Sequence, residues 1–245
     1  MPEKLHYAKA PIMEATIDLQ VMLPNGPILD QLELLLKELS VQFPENQKLF
    51  ASELFVRVGE DPLAETRQRH IGYRLVSADK HKIVQIRTNG FSFSIQHPYD
   101  RWEPFRDEAR SLWNMYRTTL TPNNVTRIAV RNINRLDIPL ASVELKNYLR
   151  TVPEVSGDLP QMLISYFMQL VIPKEDIKSI AIINQTIAPP PNQDTTSVIL
   201  DIDLFREAEI PIDEDGVWTL FEQLRDGKNL IFKACITPEM EALIS

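Results

Sequence analysis

The stretch Lys82–His97, KIVQIRTNGFSFSIQH, decides the fold class. Lys82–Arg87 and Phe91–His97 are short runs of strand formers joined through Thr88-Asn89-Gly90. Asn-Gly supplies the positive backbone torsions of a type I′ turn, so a β-hairpin is predicted here. Phe91, Phe93 and Ile95 alternate with Ser92, Ser94 and Gln96. That period of two turns one face to a core and the other to polar surroundings, the pattern of an antiparallel sheet.

Toward the N-terminus, Ile71–Val76 reads as a further strand and Leu54–Val58 as another. Residues 59–69 between them, with Gly59, Asp61, Pro62 and a polar ETRQR run, read as an exposed loop. Met13–Leu23 is strand-like, and Pro24-Asn25-Gly26-Pro27 a turn. Ile28, Leu29, Leu32, Leu35, Leu36 and Leu39 then recur at helical spacing and stop before Pro44.

Toward the C-terminus, a helix is expected from Arg101 to Leu120, with Pro104 in its first turn and Trp102, Phe105, Ala109, Leu112, Trp113 and Tyr116 on one stripe. The stripe reads as core packing on the sheet, with a stacking platform for bases or sugars as the functional alternative. Val125–Ile138 follows as a long strand and Ser142–Leu149 as a short helix. Met162–Ile172, Ile177–Ile187 and Ser197–Phe205 are three more strands, with Pro189-Pro190-Pro191 as a stiff exposed tip. Val217, Leu220, Phe221 and Leu224 mark a last long helix that Asp226-Gly227 should interrupt or bend, and Thr237-Pro238-Glu239 starts another turn. The fold class expected is α+β: an antiparallel sheet with helices packed on one face. It is built as two pseudo-repeated β-α-β(3–4)-α units, residues 1–122 and 123–245, pairing edge to edge in one compact module.

Composition limits the function classes. Of 245 residues, 44% are hydrophobic and 24% charged, with a net charge of -8, which excludes collagen-like, disulfide-rich and extensively disordered chains. Met1–Tyr7 lacks the apolar run of a secretory signal, and no stretch reaches the roughly 18 apolar residues of a membrane span. Cys235 stands alone, so neither an internal disulfide nor a thiolate metal cage is available, and it reads as a small core hydrophobe. A cytoplasmic protein without membrane contact is expected. Residues 51–150 hold 16 basic and 11 acidic side chains, against 10 and 23 in the rest. A basic middle between acidic ends reads first as internal charge matching and second as a cationic face for nucleic acid or an acidic partner.

Catalytic signatures are missing. None of the seven glycines is spaced as G-x-G-x-x-G or as a phosphate loop, and His6, His70, His81 and His97 are scattered. No G-x-S-x-G elbow occurs. Two constellations remain. Arg127, Arg131 and Arg135 share one face of their strand about 13 Å apart, at about 3.3 Å per residue, while Asn132 and Asn134 point the other way. Guanidinium groups so placed could clamp phosphates or carboxylates, or pair with acids. Asp201 and Asp203 likewise share a face, close enough for a divalent cation if Glu14 or Glu53 joined them. Opposite-charge pairing between these aspartates and the arginine strand explains both sets without a metal.

Tyr7-x-x-Ala10-Pro11-Ile12-x-Glu14-Ala15, Gly72-Tyr73-Arg74, Trp102-x-x-Phe105 with Trp113, and Arg127-Ile128-x-x-Arg131-Asn132-Ile133-Asn134 resemble a sporadically distributed prokaryotic family of unknown function. The resemblance covers essentially the whole chain, through the Ile231-Phe232 to Ile236-Thr237 ending. Where that family often places an aromatic between arginine and asparagine, Arg131-Asn132 run on directly. The resemblance implies a single module and brings no activity; patchy occurrence would suit mobile cassettes such as defence or toxin–antitoxin loci.

The expected function is therefore a non-catalytic module that binds a macromolecule, either a protein partner or a second copy, through a sheet edge or face. Its candidate binding residues are Arg127, Arg131, Arg135, Asn132, Asn134 and Arg74, with no cofactor. Nucleic acid is disfavoured, and any binding of it would be weak and steeply salt-dependent. One alternative is a metal-dependent phosphodiesterase or nuclease-like enzyme using Asp201 and Asp203. The other is a small-ligand binding protein with a pocket between sheet and helices, expected as an apolar cavity lined by Phe91, Phe93 or Trp113.

Overall fold

The structure, a computed structural model, describes residues 7–24, 28–57, 63–161, 163–210 and 214–245, with the side chains of all but 53–57, 63–65, 214 and 215. The strands in chain order are β1 (Ile12–Met22), β2 (Glu45–Arg57), β3 (Leu63–Val76), β4 (Lys82–Arg87), β5 (Gly90–Gln96), β6 (Asn124–Ile138), β7 (Phe167–Lys174), β8 (Ser179–Ala188) and β9 (Thr196–Ile210). They form one antiparallel sheet in the order β2-β3-β4-β5-β1-β6-β9-β8-β7. The described helices are α1 (Ile28–Leu39), α2 (Trp102–Leu120), α3 (Glu214–Cys235) and α4 (Pro238–Ile244). The fold is the expected α+β class.

In each half the first strand, β1 or β6, lies against the last, β5 or β9, and β1 and β6 join the halves with Ile17 opposite Val130. Alternation along the strands then builds the core. Ala15, Ile17 and Leu19 of β1, Val84 and Ile86 of β4, Phe91 and Phe93 of β5, and Val198, Leu200, Ile202 and Leu204 of β9 are all buried with the apolar stripes of the helices. Trp113 and Tyr116 of α2 stack at 5.4 Å and both meet Phe91, at 6.1 and 5.9 Å. The Tyr116 hydroxyl donates to the Arg87 carbonyl at 2.8 Å. Each such side chain contributes about 1.5–3 kcal/mol by leaving water. Phe91, Phe93 and Trp113 therefore fill solid core, and the pocket expected beside them lies elsewhere.

Several local expectations are corrected. The β4–β5 connection is a two-residue turn at Thr88-Asn89, with Arg87 paired to Gly90, and neither Asn89 nor Gly90 has a positive φ. Gly90 serves instead a close approach: a Cβ there would lie 2.2 Å from the Leu19 carbonyl oxygen of β1. The polar run Glu65–Arg69 is not a loop but part of β3, paired with Ala51–Phe55 of β2. Residues 58–62, like the turn at 25–27, lie outside the described ones. The helix expected at Ser142–Leu149 is one 3-10 turn, Leu145–Asn147. Strand β7 runs through Pro173, which an edge strand tolerates because one row of its amide groups has no partner to lose. Helix α3 continues through Asp226-Gly227, because Gly227 is where it rides closest to the sheet. A Cβ there would meet Leu204 Cδ2 and Ile177 Cδ1 at 2.9 Å. No described helix is long and apolar enough to cross a membrane.

Candidate functional site

The candidate binding residues divide between the two faces of the sheet. Away from the helices, Arg127 donates from Nη2 to Asp203 Oδ2 at 2.9 Å and from Nη1 to Asp18 Oδ1 at 3.3 Å. Its guanidinium carbon stands 4.3 Å from the centroid of Phe205. Asp18 also accepts from Arg87 Nη2 at 2.5 Å. Arg131 grips Asp201 with two bonds, Nε to Oδ1 and Nη2 to Oδ2, both 2.7 Å, and Asn184 donates to the same carboxylate at 3.1 Å. Arg135 reaches Asp137, the Pro189 carbonyl and Ser197. Arg74 sits on the same face, opposite Gln85, four strands from β6 or about 19 Å at about 4.8 Å per strand.

This face is a neutralised lattice of alternating charge. Asp201 raises the pKa of Arg131 further above its ordinary value, chiefly through the paired hydrogen bonds. Burial pushes Asp203 above the usual carboxylate range, outweighing the pull of Arg127. Both oxygens of Asp201 and Oδ2 of Asp203 accept from guanidinium or amide donors, and among the described residues no group of three or more His, Cys, Asp or Glu side chains could hold a metal ion. Glu53, offered as a third ligand, lies outside the described side chains.

Asn132 and Asn134 turn to the opposite face, where a cavity of about 450 Å³ opens between sheet and helices. Its floor is Asn132 and Asn134 of β6 with Ile202 of β9. Arg225, Lys228, Asn229 and Phe232 of α3 form one wall; Tyr99 and the first turn of α2, including Trp102, form another. The lead into β1 closes the third side with Tyr7 and Ala10–Ile12. Three bonds hold that lead: Tyr7 Oη donates to Glu241 Oε1 of α4 at 3.0 Å, the Lys9 amide to the Ile244 carbonyl at 3.0 Å, and the Arg135 amide to the Pro11 carbonyl at 2.8 Å. Trp102 is fixed by its indole N–H on Glu222 Oε1 at 2.8 Å.

Lys228 is the electrostatic centre of this cavity. It is 8% exposed and lies one position beyond Gly227, so the close approach of α3 to β9 drives its ammonium in against the floor. With the Asn132 amide oriented by its surroundings, Oδ1 accepts from Lys228 Nζ at 2.7 Å while Nδ2 donates to the Arg131 carbonyl at 2.9 Å. Among the described residues no carboxylate pairs with Lys228. Burial, reinforced by Arg225 one turn earlier, lowers its pKa to about 7. Arg225 itself pairs with Glu222 and Asp226 and keeps a buried Nε–H without a partner. The other titratable groups around the cavity are Tyr7, Tyr99, Asp100, Arg101 and Glu103; the sheet contributes only the amides of Asn132 and Asn134 and the isoleucines Ile12 and Ile202. Burial raises the Tyr99 hydroxyl above its ordinary value, and burial with Glu241 raises Tyr7 to about 12.

The uncapped start of α2 adds to the positive end of the cavity. Its N-cap, Arg101, makes no side-chain cap, and the helix is 19 residues long, enough for a developed dipole. Asp100 and Arg101 are strongly exposed at the rim. A buried amine with one neutral partner, a free guanidinium N–H and a helix N-terminus favour negative charge on whatever enters. Lys228 does not stand out in the sequence because the α3 stripe is defined by its apolar positions. Val217, Phe221, Leu224 and Phe232 bracket it at helical spacing, so a lysine on the buried side was the available signal. No protein-family model matches the chain, and no curated protein matches it.

Proposed function

We propose that this protein binds a small molecule with an anionic head, a carboxylate or phosphate, and an apolar body, held between sheet and helices. One observation carries the reading: the buried Lys228 ammonium has Asn132 as its single partner among the described residues and faces a cavity of ligand size. An unpaired buried ammonium costs several kcal/mol, and a bound anion recovers much of that. Ile12, Ile202, Trp102 and Phe232 supply apolar wall for the body. Tyr7, Ala10, Pro11, Trp102, Asn132 and Asn134, all from segments that carry the family resemblance, meet at this cavity. That convergence supports the resemblance and makes this cavity the place where its motifs meet. A single half-buried cysteine whose thiol burial pushes up to about 11 fits a cytoplasmic setting without redox work.

The test uses 3-phenylpropionate, its neutral amide and phenyl phosphate, read by calorimetry, melting temperature and Trp102 fluorescence. The carboxylate or the phosphate is expected to bind, the amide at least about 10-fold more weakly, equivalent to about 1.4 kcal/mol. Lys228→Met should abolish the difference. Equal binding of amide and carboxylate, or no binding of any probe, refutes the reading.

A second reading concerns macromolecular docking, favoured by strand β7. This edge strand exposes Phe167, Val171 and Ile172, with Ile164 exposed just before it. Open edges with apolar side chains invite a further strand, here from a protein partner or a second copy. Light scattering should detect self-association that Val171→Lys removes; a monomer at high concentration counts against a second copy as the occupant.

A further inference from the structure

We infer that Lys228 is a nucleophile, and that its amine condenses with the carbonyl group of a 2-oxo acid bound in the cavity to form an imine. The inference rests on the anion-binding reading and deepens it by naming the ligand class. A lysine meant only as a charge would sit beside a carboxylate or at the rim, where water stabilises the ammonium. Lys228 is 92% buried, pairs with no described carboxylate, and has Arg225 one turn before it on the same helix. Both circumstances favour the neutral amine, the form that attacks a carbonyl. Donation of one N–H to Asn132 Oδ1 at 2.7 Å fixes the nitrogen and leaves its lone pair available toward the cavity.

The reaction balances without an oxidant or reductant. The Nζ lone pair forms a C–N bond to the carbonyl carbon, and the C=O π pair moves to oxygen, which takes a proton. The carbinolamine hydroxyl takes a second proton and leaves as water while the nitrogen lone pair closes the C=N bond; of the two protons on that water one comes from nitrogen and one from solvent, which leaves the imine protonated. Protons exchange with solvent at the rim, where Asp100 and Arg101 are exposed. A protonated imine retains the positive charge at the position of the ammonium, beside the ligand's own carboxylate. The buried Arg225 Nε–H and the first turn of α2 supply donors for that carboxylate. With a pKa of about 7, Lys228 carries about 10³-fold more free amine at pH 7 than an ordinary lysine of pKa about 10.4.

Phenylpyruvate with sodium cyanoborohydride at pH 7 is the probe, and 3-phenylpropionate, which has no ketone, is the competitor. Peptide mass mapping is expected to place the reduced adduct on Lys228, at least about 10-fold above exposed lysines such as Lys37, with labelling suppressed by 3-phenylpropionate. Lys228→Arg should keep the wild-type circular-dichroism spectrum but form no adduct at position 228. Phenylpyruvate that shifts the melting temperature yet leaves no adduct on Lys228, or labels surface lysines equally, overturns the imine and leaves the anion site standing. Absence of both binding and labelling overturns the two together.

Discussion

Arg131 is bound to Asp201, two strand positions off the residue directly across from it, since the β6–β9 register sets Arg131 opposite Asp203. The diagonal leaves Asp203 to Arg127, which reaches it across the ring of Phe205. One shifted pairing thus propagates along the strand and accounts for two of the three arginines. Removing Arg131 leaves the nearly buried Asp201 carboxylate with Asn184 alone. Arg131→Ala is expected to lower stability by about 1–3 kcal/mol, less than a fully buried pair because the guanidinium is half exposed. Arg135→Ala, whose Asp137 partner is exposed, should cost less than about 1 kcal/mol. Urea denaturation of the two variants compares them, and an equal or reversed order would contradict this ranking.

The same pairing bears on polyanions. Arg87, Arg127 and Arg131 each already hold an aspartate, so little uncompensated charge is left to release counterions from nucleic acid. Fluorescence anisotropy with labelled single-stranded DNA at about 150 mM salt should show no saturable binding. Changing Arg127, Arg131 and Arg135 together to Ala should alter the melting temperature and leave anisotropy unmoved. Micromolar binding lost in that variant would restore these arginines as a nucleic-acid surface.

Gly72 in β3 has a φ of 151°, and a Cβ there would lie 2.1 Å from the Ile86 carbonyl oxygen and 2.8 Å from the Arg87 Cα. Both contacts are backbone, so relief requires moving β4. Gly72→Ala is expected to cost about 3 kcal/mol or more. Gly157→Ala, where an added Cβ meets nothing within 4 Å, should stay within about 0.5 kcal/mol. Chemical denaturation of both variants checks the contrast.

How legible each element was depended on whether its pattern was local. Helices α1 and α2 carried a clean period of 3.6 because each buries one face, and the β4–β5 hairpin a clean period of two because its apolar side chains share the helix-covered face, although Ser92 and Ser94 on the other face of β5 are buried as well. The outer part of the β2–β3 hairpin carried none: Thr66–Arg69 are all exposed, so backbone pairing alone makes the strand and polarity masquerades as a loop. Period-two geometry placed the arginines and aspartates on one face but could not give the diagonal register that matches Arg131 to Asp201. Asn132 and Asn134 were legible as residues turned away from those arginines. Their meeting with Lys228 depends on how closely α3 approaches β9, a tertiary distance set by Gly227 that no spacing encodes.

Lys228 also sets a pH dependence of stability. Its folded pKa of about 7 lies below an unfolded value near 10.5, so between these limits the unfolded chain binds more protons and stability rises with pH. Below about pH 7 both states are protonated and the full burial cost persists. At about 1.4 kcal/mol per pKa unit that cost is on the order of 5 kcal/mol at most. Lys228→Met should therefore raise the melting temperature at pH 6, by up to about 10–20 °C at roughly 2–4 °C per kcal/mol for a chain this long. The gain should shrink toward pH 10. A constant or widening gap would show that the ammonium is matched in a way the fold does not display.

Ligand binding should then move protons. An anion beside Lys228 favours its charged form, so binding raises the amine pKa and draws a proton from solvent wherever the free protein holds the neutral amine. At pH 8, one unit above a pKa of about 7, about nine-tenths of the amines are neutral, and uptake on binding 3-phenylpropionate approaches one proton. At pH 7 it falls to about half a proton, and by pH 5.5 to nearly none. Tyr7 and Tyr99, both raised above their ordinary values by burial, stay protonated throughout and do not contribute. Calorimetry in Tris and in HEPES, whose ionisation enthalpies differ, reads the uptake as the slope of binding enthalpy on buffer enthalpy. The Lys228→Met variant should give zero slope even if weak binding survives. A wild-type slope near zero at pH 8, with binding intact, would mean that the anion sits away from this amine, and the cavity would have to hold it through Arg225 and the first turn of α2 instead.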